Sequence, residues 1–327
     1  MKKILLPLAL MAVMAGCSDK NGPVTTDPDE PVTEEAVAIS LGSGVKVQTK
    51  APIVSGDMVY AQIAGWESAK DDATVSTNPA GELFNVLPTW VDSIEFTAQT
   101  TPQPVTWTGG TPQYYPADGD STYMRAWHPY DKDGVLRTDD DGKVVAEFDN
   151  DGTVDVLLLK ADDAGRSYVV GNKLNAGEKQ LDFEHLSTQI KFVGVAGEGM
   201  SADILDIESI TIHDAATITG VNLTDNVGIA SAESDLAVPV EAESADEKNT
   251  FIMMIAPRTG LTIDIVANGV TYENQLITIE QDGGTTDQSL KAGRAYEVTL
   301  TFVREEIKAT ATVASWIPAG NSGIELD

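Results

Sequence analysis

The sequence predicts an all-β protein made of two β-sandwich domains in tandem. Three observations support this: about fourteen short runs in which apolar and polar residues alternate, turn-forming residues between the runs, and no long run of helical periodicity. Short strands separated by regular turn signals are typical of sandwiches. About 310 residues follow the N-terminal segment described below, more than one ordinary sandwich needs, so we expect two domains.

The alternation is clearest in the run AYEVTLTFV, where Tyr296, Val298, Leu300 and Phe302 fall on one face. Successive side chains of a strand point to opposite faces of its sheet, so this pattern predicts one buried and one solvated face. Two further runs, GLTIDIV and IKATATV, show the same pattern. Their inward positions are Leu261, Ile263, Ile265, Ile307, Ala309, Ala311 and Val313.

Turn chemistry separates the predicted strands. The stretches DKDG, DDDG and DNDG, the pair Asn268-Gly269 and the DGG at 282–284 all lie between alternating runs. Glycine supplies the positive φ angle that tight hairpin turns require. We place the domain boundary near the stretch GNKLNAGEKQL at residues 171–181. The predicted domains are therefore an N-terminal sandwich at 37–180 and a C-terminal sandwich at 181–327.

The first residues have the features of a secretory signal peptide. A positive start is followed by an apolar stretch from Ile4 to Val13, which is too short to cross a hydrocarbon core of ~30 Å as a helix. Small residues Ala15 and Gly16 then precede Cys17, the single cysteine. The pattern resembles a bacterial lipoprotein signal, in which the cysteine is diacylated and becomes the new N-terminus. We expect residues 1–16 to be that signal and Cys17 to be lipidated; a free or buried thiol is the alternative.

Residues 17–36 form the next segment and are rich in proline and acidic residues, with almost nothing apolar to pack. This composition predicts a disordered, solvated linker between the lipid on Cys17 and the folded part. Two or more acyl chains hold a protein stably on a membrane, so the resemblance implies tethering to the outer membrane.

Acidic residues dominate the charge: 51 Asp and Glu against 21 Lys and Arg give a net charge of −30. Phosphates would be repelled over most of the surface, so we exclude a nucleic-acid partner. Solubility in an extracellular setting explains this charge better than an acidic binding site does. Since no second cysteine is present, the apolar core must hold the fold without disulfides.

We expect no metal site. His128, His185 and His213 lie in three different predicted strands without the spacing of zinc ligands, so they are interpreted as structural. Calcium is an alternative at two acidic turns, but neither has the twelve-residue pattern of an EF-hand loop. The acids at these turns are Asp131, Asp133, Asp149, Asp151 and Asp155.

No enzyme motif is present, and no catalytic residue or cofactor is predicted. The chain lacks G-x-S-x-G, a Ser/Lys motif and a phosphate-binding glycine loop. With 51 acids, any pair chosen for glycoside hydrolysis is uninformative. Tryptophans could form a saccharide-stacking platform or fill the cores of the sandwiches. They are Trp66, Trp90, Trp107, Trp127 and Trp316.

Several stretches, taken in order, resemble the fimbrillin family of Bacteroidales, whose members build type V pili. They are TPQYYPADGDSTYMRAWHPY, DGTVDVLLLKA, LDFEHLSTQIKFVGV and the closing hairpin RAYEVTLTF…IKATATVASWIPAG with its late tryptophan. In the third stretch the similarity is in Phe183, His185, Gln189, Ile190 and Phe192. The resemblance covers most of residues 40–320, and it implies a structural role for Asp155 in place of calcium binding.

The resemblance implies two transthyretin-like β-sandwiches and export as a lipoprotein. In that family a trypsin-like protease cuts after a basic residue and releases the first strand, and a strand of a neighbouring subunit fills the gap. The partners would thus be other pilus subunits, in a homo- or heteropolymer at the cell surface. A sheet with a missing strand exposes unpaired N–H and C=O groups, and strand addition satisfies them.

Here the candidate first strand lies in AVAISLGSGVKVQTKAPIVSGDMV, where Val45, Val47 and Thr49 alternate with polar residues. The first arginine is Arg125, so an arginine-specific protease has no earlier site. We predict cleavage between Lys50 and Ala51, with Lys46 as the alternative. The alternative is that Lys50 is a strand-end lysine and no cleavage occurs, as in an anchor or accessory subunit.

The donor strand has two candidates, IKATATV and the tail after Trp316, and only the tail looks free to leave. The function predicted from the sequence is therefore that of a pilus subunit contributing to polymerisation and adhesion. The alternative is a surface-tethered glycan-binding lipoprotein.

Overall fold

The computed structural model describes residues 36–45, 57–68, 83–99, 103–130, 136–160, 166–240, 249–280, 288–303 and 306–314. Their regular structure is almost entirely β, which confirms the predicted fold class. Apart from strands, these ranges contain two 3-10 turns, at Leu83–Asn85 and Ala202–Ile204. None of the described residues belongs to a helix that could span a membrane.

The described residues form 24 strands, numbered here in chain order. They are β1 (Leu41–Val45), β2 (Met58–Ser68), β3 (Trp90–Thr97), β4 (Gln103–Pro104), β5 (Thr106–Trp107), β6 (Ser121–His128), β7 (Arg137–Thr138), β8 (Val144–Glu147), β9 (Leu157–Leu159), β10 (Val169–Gly171), β11 (Lys179–His185), β12 (Thr188–Ala196), β13 (Ile207–Ala215), β14 (Ile218–Asn222), β15 (Val227–Ala230), β16 (Ser234–Val238), β17 (Thr250–Ile255), β18 (Arg258–Thr259), β19 (Thr262–Ala267), β20 (Val270–Leu276), β21 (Thr278–Glu280), β22 (Ser289–Leu290), β23 (Ala295–Val303) and β24 (Glu306–Ala314).

The largest sheet has nine strands in the order β4-β1-β11-β9-β6-β2-β3-β5, and β10 also pairs with β6. We call it the first sheet. Its neighbours run antiparallel except β1 and β11, which are parallel. One apolar core is built from this sheet and the segments flanking its strands, and it includes Leu41, Ile63, Met124 and Phe183. The sheet must therefore curve over its own apolar face.

The opposite face of the first sheet is covered by a four-stranded sheet of order β15-β14-β8-β7. Between the two lies a second core that contains Trp66, Trp127, Leu158, Val144 and Val221. Strands β2 and β6 are thus buried on both faces, which explains their nearly continuous apolar character. The covering sheet joins β8 to β14, which lie on either side of the predicted domain boundary.

A third core lies between the five-stranded sheet β17-β12-β23-β24-β21 and the four-stranded sheet β16-β13-β19-β20. The predicted inward positions of β23 are all buried, at 2 % exposure or less. The inward positions predicted around β19, from Leu261 to Ile265, are buried too. In β24, Ala311 is buried and Ala309 is partly buried.

The predicted boundary between 180 and 181 lies inside β11, which pairs with β1 and β9 of the first sheet. The next strand, β12, belongs to the five-stranded sheet. The division into two domains, and the transthyretin-like form of each, stay predictions.

Candidate functional site

The first strand of the described chain, β1, lies inside the first sheet and not at its edge. On one side residues 41–45 pair in parallel with residues 179–183 of β11. On the other side Gly42 and Ser43 pair antiparallel with β4. Removal of β1 would therefore separate β4 from β11 in the sheet.

Backbone pairing continues before β1. Ile39 donates its N–H to the carbonyl of Gln113 at 2.8 Å, and the carbonyl of Val37 accepts the N–H of Tyr115 at 3.0 Å. The carbonyl of Ser40 accepts the N–H of Lys179 at 2.9 Å. The segment 37–45, which we call the N-terminal strand, is therefore hydrogen-bonded along its length.

Alternate side chains of the N-terminal strand enter the core. Ile39, Leu41 and Val45 are 2 %, 3 % and 1 % exposed. Burying such a side chain stabilises a fold by about 1.5–3 kcal/mol. Ser43 is also buried, and its Oγ donates to the carbonyl of Leu181 at 3.2 Å. Removing this strand would expose both an apolar groove and unpaired backbone groups, the situation in which a sheet accepts a new strand.

The sequence-predicted processing and lipidation residues lie outside the described residues. These are Cys17, Lys46, Lys50 and Ala51. The tail after Trp316 also lies outside them, so the predictions for these residues stay predictions. The other donor candidate is described: β24 is paired on both sides, with β23 and β21. Its place in the five-stranded sheet makes it the poorer candidate for leaving.

The three histidines have different hydrogen-bond partners. His185 Nδ1 lies 2.6 Å from Asp155 Oδ2, with both side chains largely buried. His128 contacts the backbone carbonyl of Tyr60, and burial lowers the pKa of its imidazole. Among the described residues, no three metal-ligating side chains come together. Each histidine therefore has a structural contact of its own.

His213 lies between two carboxylates, with Nδ1 3.0 Å from Asp235 and Nε2 2.9 Å from Asp264. Pairing with Asp264, and then with Asp235, raises the pKa of His213 above its usual value. The same pairing with His213 lowers the pKa of Asp264. These residues tie β13 to β16 and β19 on the outer face of their sheet.

The acids proposed for calcium are held in different ways. Asp155 contacts His185, as described above, whereas Asp151 accepts bonds from the backbone N–H and the hydroxyl of Thr153, at 3.1 and 2.6 Å. Gly152, between Asp151 and Thr153, has a φ of +96°, which is the turn geometry that the sequence predicted for glycine. Asp131 and Asp133 lie outside the described residues.

The tryptophans do not form a surface platform in the part of the chain that is described. Trp66, Trp107 and Trp127 are 1 %, 8 % and 1 % exposed and belong to the cores. Trp90 is partly buried and packs edge-on against Trp107, with ring centroids 6.1 Å apart. The stacking surface required by the glycan-binding alternative is therefore absent from these four residues.

Arg125 is buried, which the sequence reasoning missed. It is 1 % exposed, its guanidinium lies 3.8 Å from the centroid of the Phe84 ring, and Nη2 donates to Ser167 Oγ at 3.0 Å. Its Nε and Nη1 have no acceptor in the described structure. Burial lowers the pKa of Arg125 to about 9. The sequence did contain a signal for this burial: Arg125 alternates with Tyr123 and Trp127 and so lies on the same face of β6.

Comparison with known proteins supports the resemblance drawn from the sequence. The chain resembles two crystal structures: a candidate cell adhesion protein of Bacteroides uniformis (14 % identity, TM-score 0.53) and one of Bacteroides ovatus (14 % identity, TM-score 0.50). Each likeness covers 86 % of this chain and 99 % of the other, and shows a shared fold. No curated protein matches the chain. The model of the fimbrillin-like family matches residues 60–316, most of the sequence, and the chain therefore belongs to that family.

Proposed function

We propose that this protein is a non-enzymatic pilus subunit that assembles at the cell surface by exchange of its N-terminal strand. One observation carries the proposal: a strand at the start of the folded chain is hydrogen-bonded on both sides and fills the core of the first sheet. Family membership supports the role in a fimbria and a contribution to adhesion.

The proposed precursor is a lipoprotein of the outer membrane. Cys17 carries the lipid after removal of residues 1–16, and the acidic linker spaces the folded part from the membrane. The lipid and the N-terminal strand belong to one continuous segment. A single cut after that strand would release both from the body of the subunit.

The proposed cut follows Lys50, with Lys46 as the alternative. Both lysines come after Val45, the last residue of β1. Cleavage at either position leaves the N-terminal strand held only by noncovalent contacts. Its hydrogen bonds to β11 and β4 can then be replaced by those of another strand of similar length.

The proposed donor is the C-terminal tail of a neighbouring subunit, residues 318–327. It ends in GIELD, where Ile324 and Leu326 stand at alternate positions, as the inward residues Ile39 and Leu41 of the N-terminal strand do. The partners are then other pilus subunits, in a homo- or heteropolymer, and nucleic acid is no partner.

N-terminal sequencing of fibres purified from the cell surface tests the proposal. We expect Ala51 as the first residue, or Val47 if Lys46 is used. Fibres whose subunits begin with acylated Cys17 would overturn the cleavage step. A wholly monomeric surface protein would overturn the proposed function itself.

A further inference from the structure

A groove of about 430 Å³ lies beside β9, β10 and β11 in the first sheet. Its walls include Lys160 after β9, Val170 in β10 and the stretch 178–180 around the start of β11. This volume is in the range of small-ligand sites, about 300–1,000 Å³. The groove adjoins β1, since Glu178 Oε1 and Gln180 Oε1 of its wall lie 2.6 and 2.9 Å from the point where a Cβ would stand on Gly42.

The groove has a topological origin. Both β9 and β10 pair with β6, but β11 pairs with β9 and not with β10. The sheet is therefore open where β10 faces β11. A side chain partly fills this opening: Lys179 Cε lies 2.6 Å from the point where a Cβ would stand on Gly171. The remaining space suits a small ligand better than another strand.

Cations are concentrated in the groove of this acidic protein. Lys160, Arg166 and Lys179 line it, against a net charge of −30 for the whole chain. Within the described structure, Lys160 and Lys179 make no ion pair, although 51 acidic residues are available in the sequence. By contrast, Lys143 pairs with Asp225 at 3.1 Å and Lys191 with Glu297 at 2.8 Å.

One buried donor of the groove wall is unsatisfied. The amide nitrogen of Gln180, a wall residue, is buried with no acceptor among the described residues. Burial lowers the pKa of Lys179, because no carboxylate offsets the loss of water. A ligand oxygen would satisfy such donors, and a negative charge would favour the lysines.

The groove also offers groups suited to hydroxyls. Asn175 and Gln180 supply amides, and Glu178 and Asp182 supply carboxylate acceptors. A simple inorganic anion would not use these acceptors and would be repelled by them. A polyhydroxylated ligand that carries a carboxylate would use both sets of groups.

We propose that this groove binds an acidic saccharide, with a uronate carboxylate against Lys160 and Lys179 and sugar hydroxyls on the amides and acids. The site would give the subunit an adhesive function in addition to polymerisation. Binding is tested on the uncleaved chain, in which β1 is in place, so its outcome is distinct from that of the strand-exchange experiments.

The test is titration of the full-length, uncleaved protein in detergent with trigalacturonate, monitored by calorimetry or NMR. The matched control ligand is the methyl ester of the same trisaccharide, which keeps the hydroxyls and loses the charges. We expect the acid to bind at least about tenfold more tightly than the ester. Lys179→Gln and Lys160→Gln should each weaken binding of the acid several-fold.

Arg137→Gln is the matched control protein, because it removes one positive charge from an exposed pair with Glu147 and leaves the groove intact. It should bind as the wild type does, and thermal unfolding of each variant checks that it is folded. Equal affinity for acid and ester, no change in either lysine variant, or no binding at millimolar concentration would each overturn the proposal. Stronger binding of a polyglutamate peptide would assign the groove to a protein partner instead and so also overturn it.

Discussion

Asp155 Oδ2 and His185 Nδ1 lie 2.6 Å apart and join the turn before β9 to the end of β11. Leu157, the first residue of β9, pairs with His185 on one side and with His128 of β6 on the other. This hydrogen bond therefore fixes the short strand β9 at the centre of the first sheet. The family resemblance implied a structural role for Asp155, and this contact supports it.

We predict that Asp155→Ala lowers the free energy of unfolding by about 2 kcal/mol, because a buried imidazole nitrogen loses its acceptor. Urea denaturation at pH 7 measures the change. Asp151→Ala is the matched control: it removes an exposed acid of the same turn and should cost below about 1 kcal/mol. Equal losses in the two variants would mean that the turn, and not the contact between Asp155 and His185, provides the stability.

The sequence predicted elements whose evidence is local, and missed those made by distant residues. Alternation in β23 identified its buried face because one pattern within nine residues carries that information. The burial of Arg125 depends on a covering sheet in which β8 pairs with β14, and these two strands are more than seventy residues apart in sequence. Likewise a first strand was predicted within residues 36–59, but the parallel pairing of β1 with β11 links segments far apart in sequence.

The groove in the first sheet shows the same limit. Lys160 and Lys179 stand in unremarkable contexts in the sequence, and only the shared pairing of β9 and β10 with β6 places them together. The cleavage and lipidation predictions are of another kind. They depend on local motifs that a protease or an acyltransferase would recognise, so short sequences were sufficient to make them.

Arg125→Met should raise the free energy of unfolding by about 1 kcal/mol. The guanidinium is buried with a neutral hydrogen-bond partner, Ser167, and the attraction of Asp225 offsets only part of its desolvation. Replacing such a charge with an apolar group of similar length removes a desolvation cost. Methionine can keep the contact of the side-chain stem with Phe84. Chemical denaturation measures the change, and Arg125→Ala, which leaves a cavity, should be less stable than Arg125→Met. A methionine variant clearly less stable than wild type would mean that the guanidinium has a partner that stabilises it.

His213 should make stability depend on pH in the neutral range. Its pKa is raised in the folded state by Asp264 and Asp235, so the folded state holds a proton that the unfolded chain loses near pH 6.5. The contribution is complete below that pH and is lost as the pH rises through the higher folded value. Urea midpoints at pH 6 and pH 9 should thus differ more for wild type than for His213→Gln. Asp264→Asn should reduce the difference as well, and identical profiles for wild type and both variants would contradict the prediction.

Lys50→Gln should block maturation if the first cut lies there. We expect the variant to stay as full-length lipoprotein and to give no polymer ladder on a denaturing gel of unheated samples. Lys46→Gln is the matched control and should mature normally. The reverse result would move the cut to Lys46, and normal ladders from the double variant would show that neither lysine is the processing site.

Deletion of residues 318–327 should abolish polymer ladders while leaving a folded monomer. The described fold supports this expectation, because β24 ends at Ala314 and completes the five-stranded sheet without those residues. The same result should follow from replacing Ile324 and Leu326 with aspartate, since a donor strand needs apolar residues at alternate positions to fill the groove left by Leu41 and Val45. Glu325→Gln changes the position between them and should assemble normally. Ladders that persist after the deletion would exclude the tail as donor. The remaining candidate would then be β24, whose exchange would require the five-stranded sheet to open.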